Sequence, residues 1–170
     1  DTLVEIGHGI AVSGIRRLLI LSSHGGNSES MGIAARQLRM DADMFVVPTS
    51  FMRMGLPDGV IDADEARFGI HGGDIETSLM LHLRPELVNM DAADNFTSSA
   101  QAMEGEFEIL RGNDPTGFAW ATGDLNASGA VGNAAAATVE KGAAIADHQT
   151  RRLATLIAEI STFDLDRLGD

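Results

Sequence analysis

Within the first fifty residues the hydrophobic period changes from continuous to helical and back, and this restricts the fold more than any other feature. Leu18, Leu19, Ile20 and Leu21 form an unbroken apolar run, the mark of a short strand covered on both faces as in a parallel sheet. From Ser28 to Met40 the apolar positions Met31, Ala34, Ala35 and Leu38 recur at helical spacing, and Glu29 stands in the first turn, where the helix dipole favours a negative charge. Between them lies His24-Gly25-Gly26-Asn27. Met44 to Val47 reads as the next buried strand, ended by Pro48. Strand, loop, helix and strand make a βαβ crossover, so the expected class is α/β with helices on both faces of a sheet.

The rest of the chain is consistent with one domain over residues 1–170. Its 170 residues, 44% of them hydrophobic, suffice for an ordinary core. Leu3, Ile6, Ile10 and Ala11 suit a helix closing at Gly14. Residues 48–74 carry Pro48, Pro57 and five glycines and read as loop; a connection of that length is uncommon unless it serves a site. It is too apolar for a tether, with Phe51, Met52, Met54, Leu56 and Phe68 needing cover. A helix is predicted from Ile75 to His82, with Pro85 opening a new turn. Phe107 to Leu110 and Phe118 to Ala121 are predicted strands, and Asn133 to about Ile160 a long alanine-rich helix with Gly142 near its start.

Charge and cysteine content remove several function classes. Twenty-five acids against twelve bases leave a net charge of −13, and Lys141 is the one lysine. So acidic a surface repels phosphate backbones and anionic lipid, which argues against nucleic-acid and membrane partners. Charged residues in the first twenty and the lack of a long apolar run fit neither a secretory signal nor a membrane span, and a cytoplasmic location is expected. There is no cysteine. Disulfides and thiol nucleophiles are therefore excluded, and any metal must take nitrogen and oxygen ligands.

Two clusters can carry chemistry. His24 lies just beyond the carboxyl end of the first strand, where open α/β sheets bind ligands. Gly25 and Gly26 let a ligand or another backbone approach, and Asn27 is placed to cap the next helix. A solvated histidine in a capping turn, or an anion held at the helix start, would produce the same sequence. The second cluster is His71-Gly72-Gly73-Asp74-Ile75-Glu76. On one regular helix His71 and Glu76 would point roughly 140° apart. With His71 on the loop and the helix starting near Asp74, Gly72 and Gly73 can fold the imidazole back over the first turn, beside Glu76. That pair could ligate a cation or share proton transfer; equally, Asp74 as N-cap and Glu76 as a first-turn acid need no function. Asp62, Asp64 and Glu65 read as a solvated acidic run, His8, His82 and His148 as structural or surface residues, and Trp120 as core packing or a substrate contact. An Arg53 and Arg67 pair near the site would favour a phosphate-bearing substrate.

Three blocks together resemble one family. Arg17 to Asn27, RLLILSSHGGN, is similar to the strand and H-G-G-N loop of the creatininase (creatinine amidohydrolase) family. His71 to Leu81, HGGDIETSLML, resembles its H-[AG]-G-x-x-E-T-S-L-M-L signature, and Gly129 to Gly142 its G-V-x-G-[DN]-x-x-x-A-T-x-E-K-G stretch. The resemblance implies a three-layer α/β/α fold with a mostly parallel sheet and a metal-dependent amidohydrolase, usually a homo-oligomer and often a hexamer. It also implies divalent ions such as zinc, manganese or iron, and a small-molecule substrate. It makes His24 a metal ligand, His71 a proton donor beside the substrate, and Glu76 a ligand or base. Gly25, Gly72 and Trp120 would line the substrate. The family's E-x-H-G-x-H block is not found before His24, so the domain is expected to be N-terminally incomplete, with a weak metal site on its own. Creatininase proper carries H-Y-E-N at this loop, and its carboxylate is replaced here by Gly26, which points away from creatinine itself. Cleavage of a cyclic amide or related C–N bond is the leading expectation. A formylaminopyrimidine-nucleotide deformylase, a sugar-lactone hydrolase and a non-catalytic oligomerisation module of the same fold are the alternatives.

Overall fold

A computed structural model describes residues 2–113 and 115–169. The chain forms two compact units, one of residues 1–55 with 148–170 and one of residues 56–147.

The first unit is the βαβ crossover with a helix ahead of it. Helix α1 (Thr2–Val12) precedes β1 (Arg17–Ser22), α2 (Ser28–Ala42) and β2 (Phe45–Ser50). The two strands pair in parallel, from Arg17 opposite Phe45 to Ser22 opposite Ser50. The structure is thus mixed α/β with a parallel sheet, as the hydrophobic periods predict. Leu38 and Met44 are completely buried, with Val4 and Ala34 beside them and Leu18 and Val46 packed against the cluster. Phe163 stacks on Phe45 at 4.3 Å, and the Arg17 guanidinium donates to its carbonyl at 2.8 Å, which ties the C-terminal segment to the sheet. Two details differ from expectation. Among the described residues β1 is only half-buried, with Leu21 36% exposed. The second strand continues through Pro48 to Ser50, because it is an edge strand here and an edge tolerates a residue with no N–H.

The second unit is mainly helical. It holds α3 (Ala63–Phe68), α4 (Asp74–Leu83), β3 (Asn95–Phe96), α5 (Ser99–Glu106), α6 (Thr122–Leu125), β4 (Gly132–Asn133) and the start of α7 (Val139–Thr162). Ala100, Leu125 and Val131 form its buried cluster, with Phe68, Ile70 and Trp120 against it. Residues 48–74 are therefore not all loop: a turn of 3-10 helix spans Phe51–Met54, and α3 follows, capped by the Asp62 carboxylate on the Asp64 amide at 2.8 Å.

Neither strand predicted between 107 and 121 forms. The Arg111 guanidinium donates to the carbonyls of Phe107, Glu108 and Leu110, which winds that segment around its own side chain. Phe118 to Ala121 runs straight into α6, where Asp124 accepts the Ala121 amide at 2.8 Å. The antiparallel pair is instead β3 with β4, two residues each. Gly132, at φ 135°, lies where only glycine is comfortable. Helix α7 starts at Val139 rather than Asn133, since Ala134–Ala136 form a 3-10 turn and the Thr138 hydroxyl accepts the Lys141 amide.

Candidate active-site loops

The His24 loop is built on one hydroxyl. Ser22 Oγ, at the end of β1, accepts the His24 amide at 3.0 Å and the Asn27 side-chain amide at 3.1 Å, and donates to the His24 carbonyl at 3.0 Å. Gly25–Asn27 then form a single 3-10 turn, for which His24 is the cap: Gly26 N–H donates to His24 Nδ1 at 3.2 Å. Asn27 precedes α2 without a side-chain cap bond, and its side-chain amide N–H donates to Ser22 instead. Both His24 and Gly25 are exposed.

The His71 loop lies in the second unit. His71 pairs with Val131 by two backbone bonds, His71 N to Val131 O at 3.1 Å and Val131 N to His71 O at 2.7 Å. Gly72, at φ 65°, turns the chain in the left-handed region, as a glycine can. The turn brings the Gly72 amide onto Glu76 Oε2, and the Gly72 carbonyl accepts from the Thr77 hydroxyl at 3.4 Å. The loop thus folds back over the first turn of α4, the contact to Glu76 being made by the Gly72 backbone amide. His71 and Glu76 are exposed.

Beneath the loop is a buried polar network. Asp74, 2% exposed, is the first residue of α4 rather than its cap; its carboxylate accepts the Ser78 hydroxyl at 2.8 Å and pairs with Lys141. Lys141 also donates to the Ala136 carbonyl at 2.8 Å, and Ser78 Oγ accepts the Thr138 amide at 3.1 Å. Glu65 is the clearest correction to the sequence reading. Far from solvated, it is 8% exposed and accepts the amides of Asp74 and Asn133, each at 2.7 Å. Its partner at Asn133 is 68 positions away, so local pattern carries no sign of it. A cleft of about 280 Å³ opens beside this network, lined by Asp62, Asp64, Asp74, Asn95, Gln101 and Lys141.

Other candidates have plain structural roles. Trp120 is half-buried on the second unit's core and its indole N–H donates to the Gly112 carbonyl at 2.6 Å, the packing role weighed for it. Arg67 pairs with Glu104 at 2.6 Å and lies over the Phe68 ring.

The donors in these loops do not by themselves make a divalent-metal site. Among the described residues no group of three His, Cys, Asp or Glu side chains is placed to hold an ion, whereas protein metal centres use at least three ligands in most precedents. His24 Nδ1 already accepts the Gly26 amide, so a neutral ring carries its proton on Nε2 and has no lone pair for a cation unless that contact breaks.

With the geometry in place, comparison with known proteins is decisive about ancestry. The family model for creatinine amidohydrolases, Creatininase, matches residues 1–157. The chain belongs to the creatininase family. A creatinine amidohydrolase of Pseudomonas putida is 34% identical over 105 residues, which is 53% of this chain and 39% of that protein. Among solved structures, a Bacteroides fragilis protein assigned as a creatinine amidohydrolase is 31% identical with a TM-score of 0.77, over 96% of this chain and 61% of its own. A manganese creatininase is 29% identical with a TM-score of 0.67, over 93% and 62%. A creatininase variant of Zn–Zn type is 28% identical with a TM-score of 0.68, over 93% and 61%. The chain spans about two-fifths of the curated creatininase's length and three-fifths of the solved ones.

Proposed function

We propose that this chain carries the proton-transfer loop of a metal-dependent amidohydrolase acting on a cyclic amide or related C–N bond of a small molecule. The observation that carries the reading is the folded-back loop in which the amide of Gly72, the residue after His71, holds Glu76, inside a chain of the creatininase family. His71, its backbone fixed on both sides by Val131, presents an exposed imidazole that delivers a proton to the leaving nitrogen. Glu76, with one carboxylate oxygen engaged by the backbone, acts as base or ligand at a set position. Gly25 and Gly72, which carry no side chain, leave room for substrate beside each histidine.

Manganese and zinc forms of creatininase support a divalent cofactor here. His24 and Glu76 are the ligands proposed from this chain, His24 on condition that its Nδ1 contact with the Gly26 amide opens or its ring changes tautomer. A homo-oligomer, a hexamer in the simplest case, is the assembly proposed, and light scattering of the full-length protein tests it. Gly26, in place of the carboxylate that creatininase proper carries in this loop, argues against creatinine as substrate. No observation favours a formylaminopyrimidine nucleotide, a lactone or a purely structural module over the cyclic amide.

The test is hydrolysis of creatinine, an N-formyl amine and a sugar lactone by the full-length protein with zinc or manganese. The reading expects turnover of at least one C–N substrate and its loss in His24→Ala. Turnover of the lactone alone, or activity untouched by that substitution, contradicts it.

A further inference from the structure

We propose that Glu65 is a positioning residue for the His71 loop, holding both backbone segments that fix the imidazole. Its purpose rests on the hydrolase reading above; its contacts do not.

Glu65 reaches from α3 to two amides that nothing local serves. Asp74 N opens α4, whose cap residue Gly73 has no side chain to accept it, so this donor would otherwise be orphaned. Asn133 N lies two residues beyond Val131, the partner of His71 in the backbone bridge. One carboxylate oxygen takes each amide, at the same 2.7 Å. The bridge that sets His71 is therefore pinned on both of its strands by one side chain. Glu76 follows Asp74 by two positions in the first turn of α4, so any movement of that turn moves it too.

The packing shows that this contact is built. Gly69, Gly73 and Gly132 converge on the Glu65 carboxylate, and a Cβ at Gly69 or Gly73 would collide with it. A Cβ at Gly132 would stand 2.7 Å from Glu65 Oε1 and 2.7 Å from Gly73 Cα. Three chain segments have given up side chains around a single acid. Burying a carboxylate is expensive compared with an apolar residue of like volume, so packing alone does not account for it. Two directed bonds to distant backbone do.

Glu65→Gln tests this in the full-length protein. Glutamine keeps the volume and one acceptor but turns an N–H₂ toward the second amide, so one clamp opens. Amide hydrogen exchange read residue by residue is expected to rise about tenfold or more at 71–76 and 131–134, with the amides of β1 and β2 unchanged. On the N-formyl amine or creatinine that the wild type hydrolyses, kcat is expected to fall about tenfold or more while KM stays within about threefold, since misplacement of about 1 Å is enough for such a loss. Ala66→Ser, at an exposed position on the same helix, leaves both readouts at wild type. If Glu65→Gln does not fold, Gly69→Ala displaces the carboxylate without removing it and is expected to show the same local signature. Exchange raised evenly along the chain with a matching loss of melting temperature, or no change at 71–76, overturns the proposal. A wild type that hydrolyses none of the amides while the local exchange pattern is present defeats the hydrolase reading and leaves the clamp standing.

Discussion

Histidine 71 and glutamate 76 are each tied to backbone groups: a bridge to Val131 for one, the Gly72 amide for the other. Removing the imidazole keeps both backbone bonds of the bridge, so the loop should stay folded. His71→Ala is expected to lower kcat/KM by roughly 10² or more, the usual share of a general acid, with the circular dichroism of the wild type. The buried ion pair behaves differently. Lys141→Met strands Asp74, at 2% exposed, without its cation; a drop of about 3 kcal/mol in unfolding free energy is expected, measurable by urea denaturation. A third case is an exposed pair. The Arg84 guanidinium holds the Glu86 carboxyl below its usual range. A depressed carboxylate pKa contributes stability that is present at neutral pH and lost as pH falls through the lowered value. Because Glu86 is exposed, Arg84→Ala should return its titration toward the ordinary carboxylate range in carbon-detected NMR without a measurable change in melting temperature.

At the level of elements, the close approach of α4 and α7 depends on Gly142. A Cβ there would run into the Ser78 carbonyl and lie 2.9 Å from His82 Cβ. Gly142→Ala is expected to cost about 1–3 kcal/mol by thermal melts, the range for overpacking. The same elements show what periodicity can and cannot reveal. The chain from β1 through α2 to β2 was legible because each element is long enough to display its own period, and Leu38 and Met44 fill the core that those periods imply. Strands β3 and β4 have two residues each, too few to show alternation. The stretch from Phe107 to Leu110 has the composition of a strand, but Arg111 captures three of its carbonyls. Within the site, the Gly72 turn over α4 followed from φ freedom and helix geometry. Glu65 did not, because both its partners are backbone amides brought up by the tertiary fold. Asn27 has the composition of a cap, but in the fold its side chain is turned to Ser22, at the end of β1.

For the whole molecule, membership of the creatininase family rests on residues 1–157, and the relatives extend well beyond the length matched here. Among the described residues no helix is long and apolar enough to cross a membrane. The two units each contribute one candidate loop, His24 from the first and His71 with Glu76 from the second. Among the described residues no three His, Asp or Glu side chains are grouped so as to hold an ion. The central claim is that the imidazole at position 71 transfers the proton in C–N hydrolysis. It is tested most directly by the rate of N-formyl amine and cyclic amide hydrolysis by full-length, metal-loaded wild type and His71→Ala protein, compared at equal metal content. The account predicts hydrolysis by the wild type and a fall of roughly 10² or more in the variant; equal rates in the two proteins would contradict it.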